Sequence, residues 1–494
     1  MTAHESRRRD AAVSVAAGVL AVAASYAVAG ATASFVASPI DRAIVDGTPG
    51  AIVTFMIENV GEPAHLLHLG GAVAVAVGLF GACVFGGLRV AHRVGRPLGG
   101  TVLAAGAAWL LATGLTGAPV SAVAAGLSAG VVTAAGVSGA VPDAVDPSRR
   151  QALAAVAAIV GVSGAAALIG RNRGGDAAPA AAPAPGAAGA EARLGEVEAA
   201  SLDVASDDLH GLVSPIDEFY SVDIAEFEPE IPAAEWSLTF TGETGSDLTV
   251  DYDELTEREA EHRLVALRCV GEDINERKLD AAVWTGTPIA PLIDAVDPEG
   301  ACDCAMLRGE DGYYVQFPVD VLSEGFLAWG MNGRALPPTH GRPVRVLIPG
   351  HWGETNVKWL TEIELLETEE DGYWEERGWE GTGPVNTVAK LWDEGITDLG
   401  DGRTELAGHA YAGTRGIDRV EVSTDGGETW TDAELSAELP DEDAWRQWRH
   451  VFEPDGAHEV VVRATDGEGT LQPAAESGSV PSGASGWVSR TVNG

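Results

Sequence analysis

The chain has 494 residues, 46% of them hydrophobic, and a formal net charge of −42, so it is long enough for several domains. The charge is unevenly spread: 8 acidic and 11 basic residues lie up to Gly175, against 65 and 20 after it. Only three lysines occur, Lys278, Lys358 and Lys390, and such a carboxylate-rich surface predicts an extreme halophile and disfavours nucleic acid or anionic lipid as a partner of the acidic part.

In chain order, the first region (1–173) is nearly uncharged and rich in Ala, Gly and Val. Five stretches, 11–37, 66–90, 98–118, 120–141 and 151–170, approach the ~20 apolar residues a membrane-spanning helix needs. This predicts a five-helix membrane bundle whose Ala and Gly let helix backbones pack closely. The runs "SRRRD", "RVAHRVGR" and "SRR" flank the first, second and fifth spans. Placing them in the cytoplasm puts the end of the fifth span outside, although "RNR" at 171–173 pulls the other way. The opening run also resembles a twin-arginine export signal, but arginines before a first span need no further explanation.

Residues 174–204 read as a Pro/Ala-rich and then acidic linker, extended and semi-rigid. Within 205–384, short strands ("WSLTFTG", "RLVALRC", "YYVQFPV", "RVLIP") alternate with turns and short helices such as "TPIAPLIDAV", an α+β pattern. From 385 to 494 only strands remain. "RVEVSTDGGETW", "WRHVFEP" and "AHEVVVRATD" alternate apolar and polar residues around Asp-Gly turns, a β-sandwich signature.

From about Ser214 onward the chain resembles the sulfite oxidase family of molybdopterin enzymes. The pieces are "SPIDEFYSVDI", "EWSLTFTG", "LRCVGEDIN", "WTGTPIAPLI", "LAWGMNGRALPPTHGRPVRVLIPGHWGETNVKWL" and "DGYWEERGW". The terminal "GIDRVEVSTDGGETW…VVVRATDGEG" is similar to that family's immunoglobulin-like domain, which implies a homodimer contact. The first region resembles that of membrane-anchored prokaryotic relatives. The resemblance implies a molybdenum–molybdopterin cofactor, with Cys269 as the thiolate ligand to the metal. A soft, charged thiolate suits a high-valent metal that keeps open positions for oxo or water. It also implies that Tyr220, Ser221, His340, Arg345, Asn356, Val357 and Lys358 hold the pterin and its phosphate, which need fixed cationic donors and backbone N–H groups. Trp379 stands where sulfite-oxidising members carry an active-site tyrosine, and is expected to be catalytic with Cys269.

The departures concern the substrate. After the "FY" pair, where sulfite-oxidising members place an arginine, this chain has Ser221, Val222 and Asp223. The arginines or asparagines that follow the metal cysteine in the family are replaced by Glu272, Asp273 and Ile274. A dianion needs converging positive charge, so the pattern predicts a weakly charged substrate unless Arg277, Arg342 or Arg377 compensates. The expected function is two-electron oxygen-atom transfer on a small molecule, fed by a separate electron carrier, at a cell membrane crossed several times, with the catalytic domain extracytoplasmic. S-oxide or N-oxide reduction is the alternative to sulfite oxidation. A non-catalytic cell-surface receptor or adhesion protein is the reading from another class, and it leaves the "HGRPVR…VKW" cations without a purpose. Cys302 and Cys304, flanking Asp303, read as ordinary thiols on one strand face, and His65, His68 and His92 as residues bordering the second span rather than haem ligands.

Overall fold

A computed structural model describes residues 3–60, 64–137, 182–224 and 227–493. It divides into two compact units, one formed by Met1–Pro179 with Asp223–Glu230, the other by Ala180–Val222 with Ile231–Gly494.

The first unit contains helices α1 (Ala3–Ala29), α2 (Ser38–Asp46), α3 (Gly50–Asn59), α4 (Ala64–Val94), α5 (Pro97–Thr116) and α6 (Ala122–Val137). Among the described residues, three stretches are long and apolar enough to cross a membrane: Asp10–Ala29, Ala64–Val94 and Leu98–Thr116. Of the five expected spans, three are therefore supported among the described residues. The first span stops at Ala29 instead of reaching residue 37, because Gly30 takes a left-handed φ of 67° and closes the helix on Tyr26. The fourth is helical over Ala122–Val137, and the rest of it, 138–141, lies outside the described residues, as does the fifth, 151–170. Close packing follows from the small residues. A Cβ on Gly100 would lie 2.4 Å from the Gly87 carbonyl, so α4 and α5 meet backbone to backbone. Leu98, Val102, Leu110 and Val131 remain exposed on the outer faces, as lipid-facing residues would be. His68 bonds the buried Asp41 at 2.7 Å and His92 approaches Asp10 at 3.6 Å, so these two histidines face acidic side chains at opposite ends of α4.

In the second unit, helix α7 (Ala187–Ala200) occupies much of the stretch expected as an extended linker. Alanine has the highest helix propensity, and Ala190 and Val197 are fully buried. Nineteen strands follow among the described residues. The first ten are β1 (Ser237–Gly242), β2 (Leu248–Asp251), β3 (Glu261–Arg268), β4 (Leu279–Pro288), β5 (Cys304–Gly309), β6 (Tyr314–Pro318), β7 (Phe326–Met331), β8 (Arg334–Ala335), β9 (Arg345–Leu347) and β10 (Leu360–Leu366). They form two sheets, β2-β1-β10-β5-β6, with β1 and β10 parallel, and β3-β4-β7-β8 with β9 added to β7. Together with α7 and short helices they make the expected α+β domain.

The C-terminal part holds β11 (Val388–Ala389), β12 (Ile396–Asp398), β13 (Thr404–Tyr411), β14 (Ile417–Ser423), β15 (Thr431–Asp432), β16 (Glu434–Leu435), β17 (Arg446–Phe452), β18 (Ala457–Asp466) and β19 (Val488–Asn493). Two antiparallel sheets, β11-β13-β17-β16 and β15-β14-β18-β19, share one apolar core. Leu406, Ala410 and Trp448 come from the first sheet, and Val420, Val460, Val462 and Val488 from the second. The alternation read in the sequence thus gives a β-sandwich.

Cys302 and Cys304 are joined by a disulfide rather than being free thiols. The strand begins only at Cys304, and Asp303 adopts φ 50°, which folds the chain back and leaves the two Cα atoms 5.2 Å apart. That spacing is within the range a bridge requires.

Candidate functional site

The β3–β4 hairpin presents Cys269 as its first loop residue. Arg268 pairs with Leu279 at the end of the ladder, and the Cys269 N–H donates to the Lys278 carbonyl at 2.9 Å. Cys269 is partly exposed as a whole residue, while burial pushes its thiol up to about 12, the Gly271 backbone working in the opposite direction. A thiol this reluctant to ionise becomes a ligand when a metal cation displaces its proton. A Cβ on Gly271 would lie 3.6 Å from the Trp379 ring and 3.9 Å from Cys269 Sγ, so Trp379 stands beside the cysteine loop.

The expected pterin residues come together on adjoining elements. β9 runs beside the turn that precedes β10, with the Val346 N–H donating to the Val357 carbonyl at 3.0 Å. This register sets Arg345 against the turn, where its guanidinium donates to the Asn356 carbonyl at 2.9 Å and the His340 carbonyl at 3.4 Å. The Asn356 amide oxygen accepts from the Ile348 N–H at 2.7 Å. Lys358 Nζ donates to Ser221 Oγ at 3.1 Å and to the Thr339 carbonyl at 2.9 Å. Gly341, at φ 98°, passes so near Lys358 that a Cβ there would be 2.9 Å from the lysine Cβ; only glycine fits this turn. Burial, reinforced by Arg345 and Lys358, pushes the His340 imidazole down to about 3, so His340 is neutral and the two cations are Arg345 and Lys358. Tyr220 lies between the two halves. Its N–H donates to Asp280 at 2.9 Å, and its phenol, raised well above normal first by burial, also feels Cys269 and Glu272.

The donor set fits a molybdenum–pterin group: one thiol for a soft metal, with two fixed cations, a neutral imidazole and an amide for a phosphorylated heterocycle. Comparison with known proteins agrees. Residues 225–374 match the oxidoreductase molybdopterin binding domain, and residues 384–487 the Mo-co oxidoreductase dimerisation domain. The chain is 33% identical over 180 residues to mitochondrial sulfite oxidase of Rattus norvegicus, covering 31% of this chain and 33% of that one. It is 28% identical over 285 residues to the Mus musculus protein of the same name, covering 46% and 51%. It is also 28% identical over 311 residues to a nitrate reductase [NADH] of Volvox carteri, covering 50% and 36%. The chain belongs to the sulfite oxidase family. The matches span about a third to a half of the length of these relatives.

Within this sulfite oxidase-type framework the departures acquire positions. Glu272 does not face substrate. It is fully buried and accepts from Arg268 Nε at 2.7 Å and Lys390 Nζ at 2.6 Å, while its other oxygen takes the Lys278 N–H at 3.2 Å. Arg268 continues to the Asn386 and Ala484 carbonyls, and Asn275 exchanges two hydrogen bonds with Leu391. The cysteine loop is thereby fastened to the C-terminal sandwich. Burial pushes the Lys390 ammonium down to about 8 against the pull of Glu272, which leaves it charged at neutral pH. Sequence reading missed this triad; its one signal was a lysine retained in a chain nearly devoid of them.

The three candidate compensating arginines make contacts with other residues. Arg277 pairs with Glu394 and lies over Trp392, at the sandwich. Arg342 is exposed and acts on Tyr252. Arg377 donates to the Tyr373 carbonyl at 2.6 Å and lies over the Tyr373 ring. Glu354, also unforeseen, acts on the Cys269 thiol, and burial, with Glu375 adding to it, raises the Glu354 carboxyl to about 8.

Proposed function

We propose that the chain is a membrane-tethered molybdenum–pterin oxidoreductase that transfers an oxygen atom to or from a small substrate in a two-electron reaction, working as an S-oxide or N-oxide reductase rather than a sulfite oxidase. The observation that supports this is that Tyr220 feels both Cys269 and Arg345 of the expected pterin wall, while Glu272, Lys278 and Glu354 are the charges acting on the thiol. A molybdenum–pterin group supplies the two-electron oxygen exchange, and the protein supplies orientation and electrostatics. Cys269 would hold the metal. Arg345, Lys358, His340, Asn356, the Val357 backbone, Tyr220 and Ser221 would hold the pterin, and Trp379 would wall the substrate side. In the reductive direction the oxide takes up two electrons and two protons and leaves as the deoxygenated molecule and water. A non-catalytic adhesion role leaves this constellation without a purpose.

Steady-state turnover with artificial electron carriers in molar salt tests the direction. Sulfoxides or N-oxides are expected to be turned over saturably, and sulfite poorly, because a dianion needs converging positive charge. Efficient saturable sulfite oxidation overturns this choice.

The apolar helices support insertion in a cell membrane, and the arginine runs support a cytoplasmic N-terminus with the acidic domain outside. The Cys302–Cys304 disulfide supports an oxidising compartment for that domain. We read the sandwich as immunoglobulin-like and as the homodimer contact, the electron donor as a separate carrier, and the acidic surface as an adaptation to salt. Protease added to intact cells is expected to release the acidic domain; a domain that stays protected contradicts this topology.

A further inference from the structure

Beside Cys269 lies a group of side chains that the pterin does not account for. Glu354 sits in the short helical turn Gly353–Thr355, and Glu375 in the turn Glu375–Arg377. All four of their carboxyl oxygens are cut off from solvent and have no hydrogen-bond partner from another residue among the described residues. The Tyr313 hydroxyl and the Trp379 indole N–H are likewise buried without a partner, in side chains only 9% and 4% exposed. Glu354 and Glu375 are the strongest charges acting on the Tyr313 hydroxyl. The group is continuous with the cysteine loop through aromatic contacts. Tyr313 meets Tyr373 at 5.9 Å between centroids, Tyr373 meets Trp374 at 5.1 Å, and Trp374 meets Trp379 at 6.2 Å. Trp379 then borders Gly271 and Cys269.

Buried polar groups in native proteins nearly always have partners, and a buried carboxyl pair lacking them is costly. The missing partner must bring positive charge or several donors. Arg377 is the nearby cation, and it is turned to Tyr373, Tyr314 and Glu376. Carboxylates combined with several aromatic faces form the surface that recognises alkylated ammonium groups, through ion pairing and cation–π attraction together.

We propose that Glu354 and Glu375, with the Tyr313, Tyr373, Trp374 and Trp379 rings, form a subsite that binds a positively charged alkylammonium group on the substrate. The substrate class, resting on the function proposed above, is a small S- or N-oxide, or its reduced partner, that carries such a group a few bonds from the transferred oxygen.

Two measurements on the full-length, cofactor-loaded protein in constant molar salt test this. In the first, tetramethylammonium chloride replaces potassium chloride and tryptophan fluorescence is followed. A saturable change is expected with tetramethylammonium only, weakened about 10- to 100-fold in Glu354→Gln and in Glu375→Gln, as loss of a charge-assisted contact implies. No saturable change, an equal response to potassium alone, or undiminished binding in both variants overturns the subsite. The second compares KM for a neutral sulfoxide and for the same sulfoxide bearing a trimethylammonium group. The charged form is expected to have a KM at least ~10-fold lower, with the difference lost in Glu375→Gln; equal KM values overturn the substrate class. If no oxide is turned over, the function proposed above fails, while the fluorescence titration still decides the subsite.

Discussion

Replacing Cys269 with serine is expected to cut turnover to below about 1% of the parent, since disturbing residues that merely support a metal ligand already costs 10- to 100-fold. Serine keeps the size and a hydrogen-bonding atom but offers a hard hydroxyl that does not ionise at neutral pH, so the soft donor alone disappears. The fold should persist. The backbone bond from the residue 269 N–H to the Lys278 carbonyl is untouched, and the position starts a loop rather than filling the core. Arg345→Ala and Lys358→Ala should behave differently, since each removes a charge-assisted contact worth roughly 1.5–3 kcal/mol. They are expected to lower molybdenum and pterin content without changing which substrates are used. Elemental analysis, pterin fluorescence after release, turnover and circular dichroism separate the cases. Full turnover in the serine variant would falsify the ligand assignment, and parental cofactor content in both cation variants contradicts the pterin role.

Glu272→Gln is expected to destabilise the protein by about 3–5 kcal/mol, the usual cost of breaking a buried ion pair from one side. Glutamine leaves the Arg268 guanidinium and the Lys390 side chain fully buried without the carboxylate that accepts from both, and removes the charge that holds Lys390 protonated against burial. For a body this size the corresponding fall in Tm is on the order of 10 °C. Because the triad is sealed from solvent, molar salt should not rescue the variant, whereas it screens the acidic surface. Adding Lys390→Met to Glu272→Gln removes one of the two stranded polar groups and should recover part of the loss. Thermal unfolding of the three proteins at two salt concentrations checks this. A single variant within about 2 °C of the parent shows that the triad is not holding the loop to the sandwich.

Much of the architecture was legible because it depends on local pattern. Apolar stretches over the first 137 residues gave the helices, and period-two alternation after residue 385 gave the sandwich. Cys269 was legible for a related reason: it directly follows a strand and opens a hairpin loop, and its neighbours carry a recognisable family pattern. That the residues proposed to hold the pterin come together was legible as well, since Arg345, Asn356, Val357 and Lys358 lie within fourteen consecutive residues. The length of the first helix was less so. Gly30 ends it by backbone conformation inside a run that remains apolar by composition. The linker misled for the opposite reason, because its alanines permit a helix wherever a sheet offers a surface to pack on.

What the sequence determined by itself was therefore the class of domain, the family and the cofactor it implies, all set by short-range spacing and residue chemistry, and from the same spacing we propose the thiol and the cofactor wall. Tertiary structure alone decided the fate of the charges. Glu272 reads in sequence as an acid replacing a family cation at the substrate. It is instead neutralised by Lys390, 118 positions away, and that pairing exists only because the sandwich docks on the cysteine loop. Glu354 and Glu375 read as two acids among many on an acidic surface. Burial makes them unusual, since the energy of a carboxylate depends on the solvent and partners around it, which no linear spacing specifies. Nor did composition bring Cys302 to Cys304. A single left-handed residue, Asp303, turned what looked like two side chains of an even strand into a bridge.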